Sequence, residues 1–313
     1  MRGFRAARKE SGWLAISLRE NRLSYVHGRP SPDGKHAITR IGSAELEAKP
    51  NAAEKFAKEM GFGRCQCATL LAPGEYQLLL VEAPVVPAAE LKSAVRWRVK
   101  DLIDYPVDDA TMDVLDIPGD TGAAARSGRS IYAVAARNDI VRGRMNAFEE
   151  ARIPLSVIDI PETAQRNLAA LRESDGRGVA LLYFNHEFGL LTITSNGELY
   201  FSRRIDIGLP QILGAAPGAR AELFSRVVLE LQRTFDHFDR QFGYVQVARL
   251  LVGPEPEETG LHDHLKANLD LPVERLDLLE CLSFGRDATP DADAQWQLFH
   301  LIGASLRQEP KAS

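Results

Sequence analysis

Cys65-Gln66-Cys67 and His262-Asp263-His264 are the places where residue type and spacing invite metal or redox chemistry. The cysteine pair is half of a zinc site, and no second pair stands at zinc spacing. With Cys281 the thiols are three, which cannot form a disulfide framework, so they read as strand-edge groups in a reducing cytoplasm. His262 and His264 face apart on a helix and read as its solvated start. Asp236 and His237 lie between Phe235 and Phe238, on the exposed face of a core helix.

Asp101, Asp104, Asp108, Asp109, Asp113 and Asp116 form an acidic belt. Paired carboxylates can do acid–base work or hold Mg²⁺. This belt crosses a helix-to-strand junction without a shared face, so it reads as solvated loop charge; its functional version is a patch for a basic peptide. Arg96-Trp97-Arg98 has the composition of an interface anchor. It fits equally well a Trp packed on a strand with snorkelling arginines. No Gly-x-Ser-x-Gly elbow, Walker A loop, Rossmann fingerprint or Ser/His/Asp order occurs.

The elements that must position these residues follow from periodicity. Strands are expected over 12–17, 23–27 and 36–43, a helix over 51–60, and strands over 67–71 and 77–82. A helix over 88–103 carries Leu91, Val95, Val99 and Leu102 as its stripe and ends at Tyr105-Pro106. Strands over 111–117 and 130–136 flank a Gly/Ala/Ser-rich loop at 119–128, before a helix, a strand at 156–160 and a helix over 161–172. Residues 173–178 form the linker. Beyond it a hairpin turns at Asn196-Gly197. A long helix over 220–242, a strand over 248–252, a helix over 257–269, a short strand over 272–274 and a last helix over 293–307 follow. The theme of strands, helix, strands, helix occurs twice, as a repeat of layout rather than of residues.

The chain of 313 residues has room for two lobes, and its 45% apolar and 26% charged content is that of a soluble globular protein. A net charge of −5 gives no field for nucleic acid. No apolar run reaches the roughly 18 residues of a membrane span, and the basic start has no secretory core. Arg2, Arg5, Arg8 and Lys9 belong to a disordered tail over 1–10.

Three segments in order carry a family resemblance. AVRWRVKDLIDYPVDDATMDVLDIP spans 94–118, AVAARNDIVRGRMNAFEEARIPLSVIDIPETAQRNL spans 133–168, and GELYFSRRIDIGL spans 197–209. Their order and spacing resemble the actin-like pilus-assembly proteins of the PilM and MshI type, over about 11–306, with the MshI branch (mannose-sensitive haemagglutinin, MSHA, pili) favoured. The resemblance implies an α/β, actin-like ATPase (ribonuclease H-like) fold with two duplicated halves, 11–174 and 175–308. An inserted α+β subdomain at about 73–136 is implied in the first half.

An actin-like ATPase holds phosphates on two glycine-bearing hairpins, whose aspartates position Mg²⁺ and water. Ser17 and Arg19 stand where the first hairpin of the family carries Asp and Gly. Tyr183, Asn185 and Glu187 stand where the second carries Asp, Gly and a small hydroxyl residue. Of the adenosine-side glycine pair only Gly253 remains, followed by Pro254, which has no N–H. The expectation is therefore no ATP or Mg²⁺ cofactor, no metal and no enzymatic activity. The family's role implies a cytoplasmic platform component of type IV pilus assembly, peripheral to the inner membrane through its partner. That partner is the short cytoplasmic tail of a bitopic inner-membrane pilus protein, docked in a groove whose wall includes Arg96, Trp97, Asp101 and Tyr105. Self-association as a homodimer stays open. The rival readings are a nucleotide-binding ATPase or sensor and a GspL-like type II secretion subunit. Chains of the latter kind continue into a transmembrane helix, whereas this one stops at Ser313.

Overall fold

Strand order repeats in the computed structural model, which describes residues 10–19, 21–31, 35–49, 51–119, 129–174 and 176–308. The first half opens with the antiparallel meander β1 (Trp13–Arg19), β2 (Arg22–Pro30) and β3 (His36–Glu45). Helix α1 (Ala52–Glu59) leads to β4 (Gln66–Leu70), parallel to β1. The insert follows: β5 (Tyr76–Glu82), α2 (Leu91–Val99), β6 (Ala110–Asp116) and β7 (Ser130–Arg137). Helix α3 (Asn138–Glu150), β8 (Leu155–Asp159), parallel to β4, and α4 (Pro161–Ala170) close the half.

The second half repeats the meander as β9 (Gly178–Phe184), β10 (Gly189–Ser195) and β11 (Glu198–Ile205). Helices α5 (Leu209–Leu213) and α6 (Pro217–Phe242) precede β12 (Val247–Val252), α7 (Leu261–Asn268) and β13 (Val273–Arg275). The chain finishes with α8 (Leu278–Cys281), β14 (Ser283–Phe284), α9 (Ala292–Gln297) and α10 (Phe299–Ser305). One sheet runs β3-β2-β1-β4-β8, with β14 added beside β3, and the other β11-β10-β9-β12-β13. The insert is a third sheet, β5-β7-β6.

The local causes are visible. Every residue of β9, GVALLYF, is buried, as befits a central strand flanked on both edges and both faces. Asn196 and Gly197 both take positive φ, the geometry of a two-residue hairpin turn. Pro217 at the first turn of α6 costs no intrahelical bond.

Two helices cross between the halves. Helix α4 packs on β9, β10 and β11, whereas α10 packs on β1, β2 and β4, and the two helices lie against each other. A Cβ built on Gly303 would stand 2.2 Å from the Ala164 carbonyl oxygen, so only glycine permits this approach. The largest apolar cluster joins the second sheet to α6 and α10, and a separate cluster around Leu14, Ile16, Phe62 and Phe148 fills the other face of the first sheet.

The insert buries Val95, Val99, Ile131 and Ala133 between α2 and its sheet. It is moored to the body by Tyr76, whose hydroxyl donates to Glu162 at 2.5 Å, and by Tyr132, which donates to the Tyr200 carbonyl at 3.2 Å. Tyr244 reaches back to the Pro118 carbonyl at 2.9 Å.

Several element boundaries differ from expectation. The helix expected over 88–103 is a 3₁₀ turn followed by α2, which ends at Val99. Past it the chain turns so that Ile103 and Tyr105 bury against Ala110 and Ala135, leaving Leu102 54% exposed. The helix expected over 293–307 breaks at Leu298 into α9 and α10. Strand β14 joins the first sheet from the far end of the chain and has no counterpart in the expected list. Residues 1–9 of the expected tail and 120–128 of the expected loop lie outside the described residues. Among the described residues no helix is long and apolar enough to cross a membrane.

Candidate ligand cleft between two hairpins

The two meanders aim their first turns at the same helix, α9. At the β1–β2 end Arg19 pairs with Arg22, and the Arg22 guanidinium donates to Gln297 Oε1 at 2.8 Å. Ser17 lies opposite Ser24 in the ladder and is half-buried; Arg19 is exposed. At the β9–β10 end Trp296 Nε1 donates to the Phe184 carbonyl at 2.7 Å, and its ring packs edge-on against His186. Helix α9 therefore bridges both hairpins. Its N-terminus is fixed by Asp291, whose carboxylate accepts from the Ala294 N–H at 2.8 Å.

Tyr183 is buried near the end of β9. Its hydroxyl donates to the Trp296 carbonyl at 2.6 Å, and its ring stacks on Phe299 with centroids 4.2 Å apart. Burial pushes the phenol well above its ordinary range, so it stays neutral. The same ring lies against Gly253: a Cβ there would come within 3.0 Å of it. The Gly253 N–H is spent on the Leu182 carbonyl at 2.8 Å.

Backbone amides that could cradle an anion are also engaged. Asn185 Oδ1 accepts from the N–H groups of Glu187 and Phe188, at 2.7 and 2.9 Å. A phosphate at this turn would have to displace that side chain from both donors. The Glu187 side chain is exposed and adds negative charge at the same turn.

Beside Gly253 a cavity of about 320 Å³ remains, lined by Glu255, Glu258, Arg275 and Asp277 among others. Arg275 is paired with Glu258 at 2.5 Å. Burial raises the Glu255 carboxyl, which accepts from the Thr259 hydroxyl and amide. Three carboxyl groups against one engaged guanidinium give this cavity no attraction for a polyphosphate.

Behind Tyr183, Gln165 donates through Nε2 to the Leu181 and Leu190 carbonyls, which leaves its Oε1 facing His300 Nε2 at 3.2 Å. His300 Nε2 must then carry the proton. Burial lowers this imidazole from 6.5 to about 3. The unfolded chain takes up a proton as pH falls below 6.5 and the folded chain does not until about pH 3, so stability is full above that window and falls on acidification through it. The expected slope is at most about 1.4 kcal/mol per pH unit. It is checked by urea unfolding at several pH values against His300→Gln, which should lose it.

The residues expected in a partner groove divide into two kinds. Trp97 is 70% exposed, and Asp101 is exposed just past the end of α2. Arg96 instead turns inward and donates to the Val107 and Ala110 carbonyls. Tyr105 is only 9% exposed, because Arg137 lies over its ring at 4.3 Å. These two hold the loop after α2 rather than offering free side chains. Most of the acidic belt is laced to nearby bases: Asp113 to Lys92, Asp116 to Arg129, Asp104 to Arg137 and Asp108 to Arg96. His262 pairs with the neighbouring Asp263, and His264 packs on Phe224. The residues that sequence reasoning missed are Trp296 and Gln297; the aromatic cluster around Trp296 and Phe299 was the available signal.

No known family profile matches the chain, and no curated protein matches it. Solved structures do. The "PilM-PilN type IV pilus biogenesis complex" is 18% identical, covers 96% of this chain and 98% of that chain, and superposes with a TM-score of 0.67. The cytoplasmic domain of EpsL, an inner-membrane component of the type II secretion system of Vibrio cholerae, covers 94% of each chain at 13% identity and a TM-score of 0.46. A Bacteroides thetaiotaomicron protein with an actin-like ATPase fold covers 92% of this chain and 96% of its own at 7% identity and a TM-score of 0.47. The chain has the actin-like ATPase fold, in two duplicated halves with an inserted subdomain in the first.

Proposed function

We propose that this protein is a non-enzymatic platform component of a pilus or secretion assembly machine, of the MSHA type at its most specific. It works at the cytoplasmic face of the inner membrane and binds the short cytoplasmic tail of a bitopic membrane protein. The observation that supports the reading is the cleft: Tyr183 and Trp296 are hydrogen-bonded within the body, and Asn185 engages the turn amide of Glu187. No ATP or Mg²⁺ cofactor belongs to this reading. A solved structure with the same fold over nearly the whole chain is a complex of PilM with PilN, which supports a partner of that kind.

The surface assigned to the tail is the outer face of the insert. Trp97 and Leu102 are exposed there at 70% and 54%, and Asp101 lies between them in sequence. Large exposed apolar side chains beside charge mark an interaction surface.

The test is a pull-down of the full chain with the cytoplasmic tail of a bitopic inner-membrane pilus protein. Trp97→Ala should weaken binding by roughly 30-fold, the value of an anchor worth about 2 kcal/mol. Equal binding by both proteins removes Trp97 from the surface, and binding of Mg-ATP at micromolar affinity by calorimetry overturns the non-enzymatic reading.

A further inference from the structure

Glu10, His27 and Cys65 come from three places in the fold: the entry to β1, the middle of β2 and the residue before β4. One potential ligand atom from each lies within 4.8 Å of the others. His27 and Cys65 are 3% and 4% exposed, and the Cys65 sulfur stands 3.6 Å from Glu10 Oε2.

The imidazole is set by its far side. Thr39 Oγ1 donates to the His27 carbonyl at 3.3 Å, so towards Nδ1, 2.6 Å away, it acts as acceptor. Nδ1 therefore carries the proton and Nε2 a lone pair. That Nε2 is buried without a side-chain partner, and the Ser11 backbone is the main-chain group that interacts with the ring. A buried lone pair beside a thiol and a carboxylate needs an explanation.

Arg40 supplies part of one. Its Nη2 donates to Glu10 Oε2 at 2.8 Å and to the Cys65 sulfur at 3.0 Å, while Nη1 donates to the Met60 carbonyl at 2.8 Å. It binds the two acidic groups and makes no hydrogen bond to Nε2.

We propose that Glu10, His27 and Cys65 bind one divalent metal ion of the zinc class. Carboxylate, imidazole and thiolate are the ligand types that zinc takes, and three protein ligands leave a fourth position open. That position faces a cavity of about 450 Å³ lined by Glu10 and His27 together with Ser11, Arg29, Thr39 and Arg40, where water or a small anion completes the shell. Thr39 orients the imidazole, and Arg40 donates to the sulfur and carboxylate from the outer shell. With the ion bound, its charge, the Cys65 thiolate and the Glu10 carboxylate form a neutral centre beside Arg40. The site joins the entry to β1 with β2 and the start of β4.

The purified full chain, stripped with a chelator, is titrated with Co²⁺ alone and then with Zn²⁺ alone. One equivalent of cobalt should give a thiolate-to-metal charge-transfer band, and zinc should displace it. Cys65→Ser should abolish the band and weaken zinc binding more than about 100-fold; Thr39→Val should weaken it about 10-fold. Cys67→Ser should keep the band, since the Cys67 thiol donates to the Phe62 and Cys65 carbonyls and is not one of the three ligands. Circular dichroism establishes that each variant is folded. No band in the wild type, or a band that survives in folded Cys65→Ser, overturns the site and leaves Arg40 as the only cation of the cluster.

Discussion

Trp296→Ala should lower the unfolding free energy by about 3–5 kcal/mol, the range for removing a large buried ring. For a protein of this size that corresponds to a fall in melting temperature of roughly 10 °C. The ring is 6% exposed, donates to the Phe184 carbonyl and packs on His186, so its loss opens a void and orphans an acceptor together. Trp296→Phe separates the two effects. It retains most of the volume and should cost about 1–3 kcal/mol for the unpaired Phe184 carbonyl. The void should not turn the cleft into a nucleotide site: Asn185 still engages its two amides, and neither hairpin gains a carboxylate for Mg²⁺. Calorimetry of Trp296→Ala with Mg-ATP is the check. An unchanged melting temperature would show that the ring does not fill the cleft.

Gly303→Val should also be poorly tolerated, with a loss of about 3 kcal/mol, the upper end of the usual range for overpacking. The first atom a side chain would meet is the Ala164 carbonyl oxygen at 2.2 Å, followed by the Ala164 carbonyl carbon at 2.7 Å. Both are backbone of α4, so no rotamer relieves the overlap. Helix α10 must lift, which loosens its seat on the first sheet and breaks the bond from Asn167 Nδ2 to the Gly303 carbonyl, 3.0 Å long. Gly218→Ala is the matched control. It sits exposed in the first turn of α6 with nothing within 4 Å of its Cβ, and should be neutral or slightly stabilising. Urea unfolding of both variants decides the matter; a Gly303→Val midpoint equal to that of Gly218→Ala would mean the helices are not so close.

Much of the scaffold was legible because its signals are local. Alternation and the Asn196-Gly197 turn marked the second meander, and Leu91, Val95 and Val99 marked the buried face of α2. What escaped has non-local causes. Leu298 carries no Gly or Pro, so nothing in the sequence announces that one helix becomes two there. A two-residue strand such as β14 has no measurable period. The cleft was read from residues missing at the hairpins, whereas its filling depends on Trp296, 112 positions after its partner Phe184. Tyr105 was expected at a groove surface, but an Arg137 brought in by β7 covers it. Glu10, His27 and Cys65 share no spacing rule, and only the first sheet brings them together.

Helix α9 touches both hairpins through Arg22–Gln297 on one side and Phe184–Trp296 on the other. In a machine that grips a nucleotide between its halves, the grip follows the supply of that nucleotide. Here the clasp is encoded in the chain. On the reading proposed above, the posture of the cleft does not follow cellular energy charge, because its clasp is part of the chain.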